Sequence, residues 1–467
     1  MLKRGGRLIA LCLASALALT PGSASAESLG DALASAYTGS GLLEQQRALL
    51  RARDENVAVA VAATRPVFNY ALSYSNTSTY NSIAGSSDTA TASATLSASL
   101  TLFDFGRTHR NIDLARENVL MARETLAGVE QKVLLRAVKA FLDVRSAHET
   151  AMLQANNVRI LTQQLRATRD RFEVGEVTQT DVSLSEAALA AARSAEAAAR
   201  GQLMIAREEY KAAVGHYPNG LTVPPAPPMT VRSLDEARAL ARKNHPDVKA
   251  AQRAVKVSEI SADIARLGMF PSVTADASFT KFRNEPTAIP DLMSNAKVGV
   301  TLSGPIYQGG RLSALYRQAK AQLEASRADL HVTVQNVEQQ VANAWAQLAV
   351  AAASLRASDQ QIRASSVALR GAREEAELGA RTTLEVLTFE QDLLNARAAK
   401  ISAESDQYLA VYNLLAAMGL LTAEHLKLGV PIYDPEAYYN AVQNAPVYDI
   451  SPQGERLDAM LKAIGRP

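Results

Sequence analysis

The chain is short of the residues that small secreted domains and most enzymes depend on. It has one cysteine, Cys12, one tryptophan, Trp345, and 5% aromatic residues in 467 positions. A lone cysteine excludes an internal disulfide and a cysteine-based zinc site. The formal net charge is only +2, which excludes the strongly basic footprint of a nucleic-acid binder. Past the N-terminus no run of eighteen apolar residues occurs, so no further transmembrane helix is expected. The six histidines, His109, His148, His216, His245, His331 and His425, are scattered and form no HExxH pattern. There is no GxSxG elbow, Walker loop or GxGxxG fingerprint. No catalytic group, cofactor site or metal site is therefore expected, and the chain is read as not an enzyme.

What is present begins with a processing signal. Lys3, Arg4 and Arg7 precede an apolar stretch from Leu8 to Leu19, and Ala24-Ser25-Ala26 forms a small-residue cleavage site. Residues 1–26 read as a signal peptide, with Glu27 as the mature N-terminus. Cys12 follows Leu11 inside the apolar stretch, which argues against a lipid anchor there. An exported chain without a spanning helix can enter a membrane only as a closed β-barrel.

The rest repeats itself. Segments from Leu29 to Pro66 and from Leu234 to Pro271 lie 205 positions apart. Gly106-Arg107, Phe141, Gly175, Thr178, Asp181 and Gly215 have counterparts 204 positions on, in Gly310-Arg311, Trp345, Gly379, Thr382, Glu385 and Gly419. So steady an offset marks a tandem duplication. Residues 27–217 form the first repeat and 233–420 the second. A proline-rich linker at 218–232 separates them, and an irregular tail occupies 421–467. Phe141 and Trp345 share one repeat position and are expected to be packing residues.

Each repeat reads helix, β-hairpin, long helix, turn, return helix. In the first, a helix is expected over 29–64 and a hairpin within 66–105. Phe68, Tyr70, Leu72 and Tyr74 alternate with polar or small residues, and 76–88, rich in Asn, Ser, Thr and Gly, is expected to be a loop. From 90 to 102 the even positions are Ala or Leu and the odd ones Ser or Thr. A strand there has one apolar and one hydroxyl face. The second hairpin, within 271–305, alternates in the same way over 273–279 and 296–302. Such strands suit a lipid-facing barrel; the same pattern also fits a soluble sheet with one buried face. A helix from about Thr108 to Phe172 would span ~100 Å at 1.5 Å per residue and needs helical neighbours along its length. It turns at 171–181 and returns over 181–214; the second repeat turns at 376–385. The return helix and the N-terminal helix, stacked end to end, match the long helix. Four strands cannot close a barrel, so an oligomer is expected: two copies give eight strands, three give twelve and a lumen.

Several motifs now resemble one family. Leu302-Ser303-Gly304-Pro305-Ile306-Tyr307-Gln308-Gly309-Gly310-Arg311 and Leu102-Phe103-Asp104-Phe105-Gly106-Arg107 resemble the strand-to-helix junctions of TolC-like outer-membrane factors. The segments from Arg171 to Val182 and from Leu378 to Leu387 resemble their two hairpin tips. The likeness runs over about 29–420. It implies an α+β membrane protein: a homotrimer in which a twelve-stranded transmembrane β-barrel joins a long antiparallel α-helical barrel across the periplasm of a Gram-negative bacterium. It implies a conduit for type I secreted proteins or small toxic compounds, docked to a periplasmic adaptor and an ABC or proton-driven inner-membrane pump. The first tip looks most like relatives serving type I secretion. By position, Asp181, Arg381 and Glu385 are the implied periplasmic gate, with Glu385 where relatives place an acidic pore ring. Gly175, Thr178, Gly379 and Thr382 are the implied tip turns and adaptor-docking positions. Gly106, Pro305, Gly309 and Gly310 are the junctions. Ala376 stands where some relatives carry a tyrosine, so that tyrosine's hydrogen bond is absent. The competing reading is a soluble periplasmic coiled-coil adaptor or scaffold.

Overall fold

In a computed structural model, residues 26–83, 85–225, 231–285, 292–446 and 459 are described. The expected signal segment, apart from Ala26, lies outside these residues, as do 226–230 of the linker and nearly all of the tail past 446. The elements follow the duplicated plan. The first repeat holds α1 (Leu29–Gly39), α2 (Gly41–Ala62), β1 (Val67–Asn81), β2 (Gly85–Phe103), α3 (Arg107–Glu173) and α4 (Gln179–Val214). The second holds α5 (Leu234–Asn244), α6 (Pro246–Leu267), β3 (Ser272–Glu285), β4 (Leu292–Ser303), α7 (Arg311–Glu377) and α8 (Thr383–Ala417). The tail adds α9 (Pro435–Val442), so it is not wholly irregular.

Two expectations need correction. The single helix expected over 29–64 is broken at Ser40, whose extended backbone ends α1 and whose hydroxyl caps α2. The second repeat breaks at His245, which precedes Pro246. Proline drives the preceding residue into extended conformation and itself suits the first helical position. The His245 Nδ1 accepts the Asp247 amide at 3.2 Å, and burial lowers the imidazole's pKa, so the ring caps α6 in its neutral form. The loop expected at 76–88 is mostly strand: Asn76 pairs with Ala90, and pairing continues to Asn81 with Gly85. Hydroxyl residues suit either a loop or the polar face of a strand, and threonine favours the strand.

The sheet runs β1-β2-β3-β4, antiparallel throughout. Its register joins the alternation of all four strands. Tyr70, Leu96, Phe279 and Ala296 form one row on one face, and Phe68, Ala98, Ala277 and Val298 the row beside it. The opposite face is polar, with Thr95 and Thr280 hydroxyls 3.1 Å apart and those of Ser73 and Ser93 2.7 Å apart. The apolar face is bare: Tyr70 is 79% exposed and Val298 87%.

The helices lie side by side. The 67-residue α3 packs on α4 along one half and on α1 and α2 along the other, while α7 packs in the same way on α8 and on α5 and α6. The repeats meet where α3 contacts α6 and α8. The main core gathers at the level where the composite helices change over. Leu134, Val138 and Phe141 of α3 meet Tyr210 of α4, Val341 of α7 and Leu414 of α8. Phe141 is fully buried, and its counterpart Trp345 packs at the rim of the same core, in keeping with a packing role for both. Across the α2 side lies α9, held by Tyr438 to Glu55 at 2.7 Å and by Arg123 to Glu436 at 3.0 Å.

Candidate functional site

The expected site residues fall at two levels, and the strand-to-helix junctions come first. Gly106 and Gly310 each precede a long helix with positive φ, 87° and 82°, and Gly309 has φ 58°. The first junction carries a cap that sequence reasoning missed. The Asp104 carboxylate accepts the backbone N–H groups of Gly106 and Thr108 and the Thr108 hydroxyl. Beside Pro305, Gly304 crosses Pro271 so closely that a Cβ on it would sit 2.6 Å from the proline Cβ; only glycine fits there.

At the far ends of the long helices the two hairpin tips are built on one plan. Gly175 and Gly379 take φ of 79° and 76°, a left-handed conformation open to glycine. Thr178 and Thr382 then start the return helices with capping boxes. The Thr178 hydroxyl accepts from the Asp181 amide at 3.3 Å, while the Asp181 carboxylate accepts the Thr178 amide at 3.0 Å and its hydroxyl at 2.7 Å. Glu385 repeats the pattern with Thr382, at 3.3, 2.9 and 3.0 Å. The T-x-x-D and T-x-x-E spacings carry this signature, so the local roles of Asp181 and Glu385 were legible but not drawn from it.

The tips differ in their cations. Arg381 bonds Glu375 through its Nε and Glu385 through Nη1 at 3.4 Å, and lies 5.5 Å over the Phe389 ring. In the first tip Arg171 bonds Glu176 at 3.0 Å. Within one chain, Asp181 and Arg381 are not bonded to each other. Hydrogen bonds from the Thr178 side chain and backbone, with the Thr383 side chain of the second hairpin, hold the Asp181 carboxyl below the usual carboxylate range. The Thr382 backbone and hydroxyl do the same for Glu385, with help from Arg381. Both acids are charged at neutral pH. The arrangement can hold or release ionic contacts.

A further pair went unnoticed in the sequence. Arg169 bonds Glu186 at 2.5 Å across the first hairpin, and Arg373 bonds Glu390 at 2.7 Å across the second. All four residues obey the 204-residue offset, so aligning the repeats would have found them. Beneath them, Leu165, Val182 and Leu189 form a small core in one hairpin. Their counterparts Leu369, Val386 and Leu393 form one in the other, with Ala376 packed against it.

Among the described residues no helix is long and apolar enough to cross a membrane; the one-sided apolar sheet is the element suited to lipid. A sheet of this kind joined to helices of ~100 Å defines an outer-membrane channel that extends into the periplasm. The family described as Outer membrane efflux protein matches residues 33–216 and again 237–420, and the chain belongs to that family. The outer membrane efflux protein BepC of Brucella suis is 35% identical over 439 residues, 93% of this chain and 94% of its own. The alkaline protease secretion protein AprF of Pseudomonas aeruginosa is 25% identical over 72% of this chain and 71% of its own. Among solved structures, the CusC channel covers 84% of this chain and 92% of its own, with TM-score 0.73 and 18% identity. The open-state MtrE channel of Neisseria gonorrhoeae covers 85% and 90%, with TM-score 0.71 and 19% identity. These last two likenesses bear on the fold.

Proposed function

We propose that three copies of this chain form one passive export conduit, opened at the hairpin tips by a periplasmic adaptor and driven by an inner-membrane pump. The observation that carries the reading is the sheet's bare edges. Among the described residues β1 pairs only with β2 and β4 only with β3, yet the apolar face suits hydrocarbon. Unpaired backbone groups in lipid cost several kcal/mol each. Joining β4 of one copy to β1 of the next removes every edge. Two copies give eight strands, whose interior side chains fill; three give twelve and a water-filled lumen.

At the tips Asp181, Arg381 and Glu385 hold the resting constriction, while Gly175, Thr178, Gly379 and Thr382 shape the turns that an adaptor engages. The support is positional: these groups cluster at the end of the helices farthest from the sheet, and all but the partly covered Arg381 and Asp181 neighbourhood is solvent-facing. Small toxic compounds are the first cargo, because the relative matching nearly end to end is named for efflux. Secreted protein is the second, from the relatives named for protease secretion. Native mass measurement on detergent-extracted protein tests the assembly; three chains are expected, and one or two overturn it. Deleting the gene and assaying drug susceptibility beside the secreted proteins tests the cargo. Heightened susceptibility with an unchanged secretome supports efflux, and the reverse pattern supports secretion.

A further inference from the structure

The strand register places two basic residues on the barrel's lipid face. On β3 the apolar-face residues run Val273, Ala275, Ala277, Phe279, and the same face continues with Lys281, Arg283 and Glu285. Lys281 stands in a row with Leu72, Ala94 and Ser294, and Arg283 with Tyr74, Ala92 and Leu292. Both are exposed, whereas Phe282 and Asn284, on the other face, are partly covered. Arg283 bonds Glu285 at 3.0 Å.

Their height follows from the strand. The end at Ser272 joins the tunnel helices, so the other end points away from the periplasm. Eight residues separate Val273 from Lys281 and ten separate it from Arg283. At ~3.4 Å per residue and a tilt of ~40°, they stand ~21 and ~26 Å above Val273. An outer-membrane barrel's apolar band is ~25 Å tall. The two cations therefore reach the outer headgroup level, where long basic side chains extend from an apolar wall to polar groups.

The wall beside them is grooved. The apolar face of β2 carries Ala90, Ala92 and Ala94, small side chains between Leu72 and Tyr74 of β1 and Lys281 and Arg283 of β3. This alanine column, flanked by larger residues, stands level with Lys281 and Arg283 and continues outward to Ala90 beside Glu285, with Leu96 closing it below.

We propose that Lys281 and Arg283 hold the phosphates of the outer-leaflet glycolipid, the alanine column beside them leaving room for its sugar headgroup. A phosphate on a sugar headgroup offers several charged acceptors. The Arg283 fork can bind it in two places and Lys281 as a point charge. Glu285 keeps the guanidinium oriented from above. The inference rests on the apolar face meeting lipid and is independent of the gate.

The internal control is Lys297. It lies in a row with Ser97 and Ser278, on the polar face, so it carries the same charge in the same sheet without facing lipid. The purified channel, stripped of endogenous lipid, is titrated with diphosphorylated lipid A, dephosphorylated lipid A or phosphatidylglycerol. Bound adducts are counted by native mass spectrometry. The parent and Lys297→Gln are expected to bind diphosphorylated lipid A alike and in preference to the other two. Lys281→Gln/Arg283→Gln is expected to bind about tenfold more weakly, and Lys281→Arg, which keeps the charge, as the parent does. Oligomer mass in the same spectra shows that each variant is assembled; a Lys281→Gln single variant serves if the double is not. Undiminished binding by an assembled Gln variant, an equal loss in Lys297→Gln, or equal binding of the dephosphorylated lipid or of phosphatidylglycerol would each overturn the proposal.

Discussion

The long helices α3 and α7 have the same length, 67 residues, and the same place in their repeats, yet they live in different surroundings. Sixteen residues of α3 are buried against eight of α7. The difference is one of position. Helix α3 has neighbours on both sides, from its own repeat and from the other, whereas among the described residues α7 packs extensively only on helices of its own repeat. Leu315, Val332, Val350 and Val367 of α7 remain exposed, at 42, 49, 67 and 67%. They are 17, 18 and 17 residues apart, the spacing of alternate a and d positions in a heptad, so on the 3.5-residue period of supercoiled helices they form one stripe. A duplicated sequence has yielded one helix covered on both sides within the chain and one left open on one side, just as β1 and β4 are the unfinished strands; in the proposed assembly a second copy would cover both.

The largest expected effect tests that contrast at a single repeat position. Phe141, fully buried on α3, should lose ~3–5 kcal/mol as Phe141→Ala. Trp345, at the rim of the same core on α7, should lose clearly less as Trp345→Ala despite being the larger side chain. Oligomer melting and outer-membrane yield measure both. Equal losses would show that the two helices are equivalently packed once the channel is assembled.

The next effect separates the two faces of the sheet. Leu96 is 61% exposed on the apolar face and Ser97 lies on the polar one. Leu96→Arg should cost ~2–4 kcal/mol if it lies near the bilayer midplane, and Ser97→Arg much less, as read by heat-resistant assembly. Similar tolerance at both positions would rule out the assigned facing.

A third prediction concerns the covered flank of the first repeat, where the tail lies over α2. Asp54 is wholly buried there, and its carboxylate has no hydrogen-bond partner among the described residues. Burial pushes its pKa up to about 7, against the pull of Arg123 and with a smaller push from Glu55. A carboxyl raised in the folded state adds no penalty at pH below ~4, where both states are protonated. It costs stability progressively as pH rises from there to about 7, and the cost is constant above. Asp54→Asn should therefore stabilise the protein at pH 8 by ~1–3 kcal/mol and flatten the slope between pH 4 and 7. An unchanged slope in thermal melts would show that Asp54 is not the titrating group.

How far the sequence spoke can be judged from particular residues. The 204-residue offset, the alternation from Ala90 to Leu102 and the turns at Gly175 and Gly379 each rest on a local period or a residue type with few uses. They were legible because one strand or one turn determines them. The breaks at Ser40 and His245 were not drawn, since both interrupt otherwise continuous helical composition; Gly39-Ser40-Gly41 and Asn244-His245-Pro246 held the signal. The extension of the first hairpin through 76–88 depends on which hydroxyl residues find a partner across the turn. At the tips, Arg381 was expected to matter, but its partner Glu375 lies six residues back across a tight turn, a spacing with no helical meaning.

The smallest expected effect on stability, and the largest on function, lies in the comparison of the two tips. Asp181 and Arg381 sit at their respective hairpin ends and bind locally, Asp181 to Thr178 and Arg381 to Glu375 and Glu385. Exposed ion pairs are worth only ~0–1 kcal/mol, so losing them should leave folding and assembly intact. A gate, however, responds to the difference between its closed and open states rather than to total stability, and three symmetric copies multiply a small bias into a few kcal/mol. Asp181→Ala with Arg381→Ser is therefore expected to raise resting conductance in planar bilayers and antibiotic entry in cells, with trimer content unchanged. Acid should act in the same direction only at low pH. The Asp181 carboxyl is held below the usual carboxylate range, so what it contributes is present above ~4 and is lost as pH falls through the depressed value. Conductance unchanged in a well-assembled double variant would remove these two residues from the gate and leave the cross-hairpin pairs, Arg169 with Glu186 and Arg373 with Glu390, as the ionic contacts next to be tested.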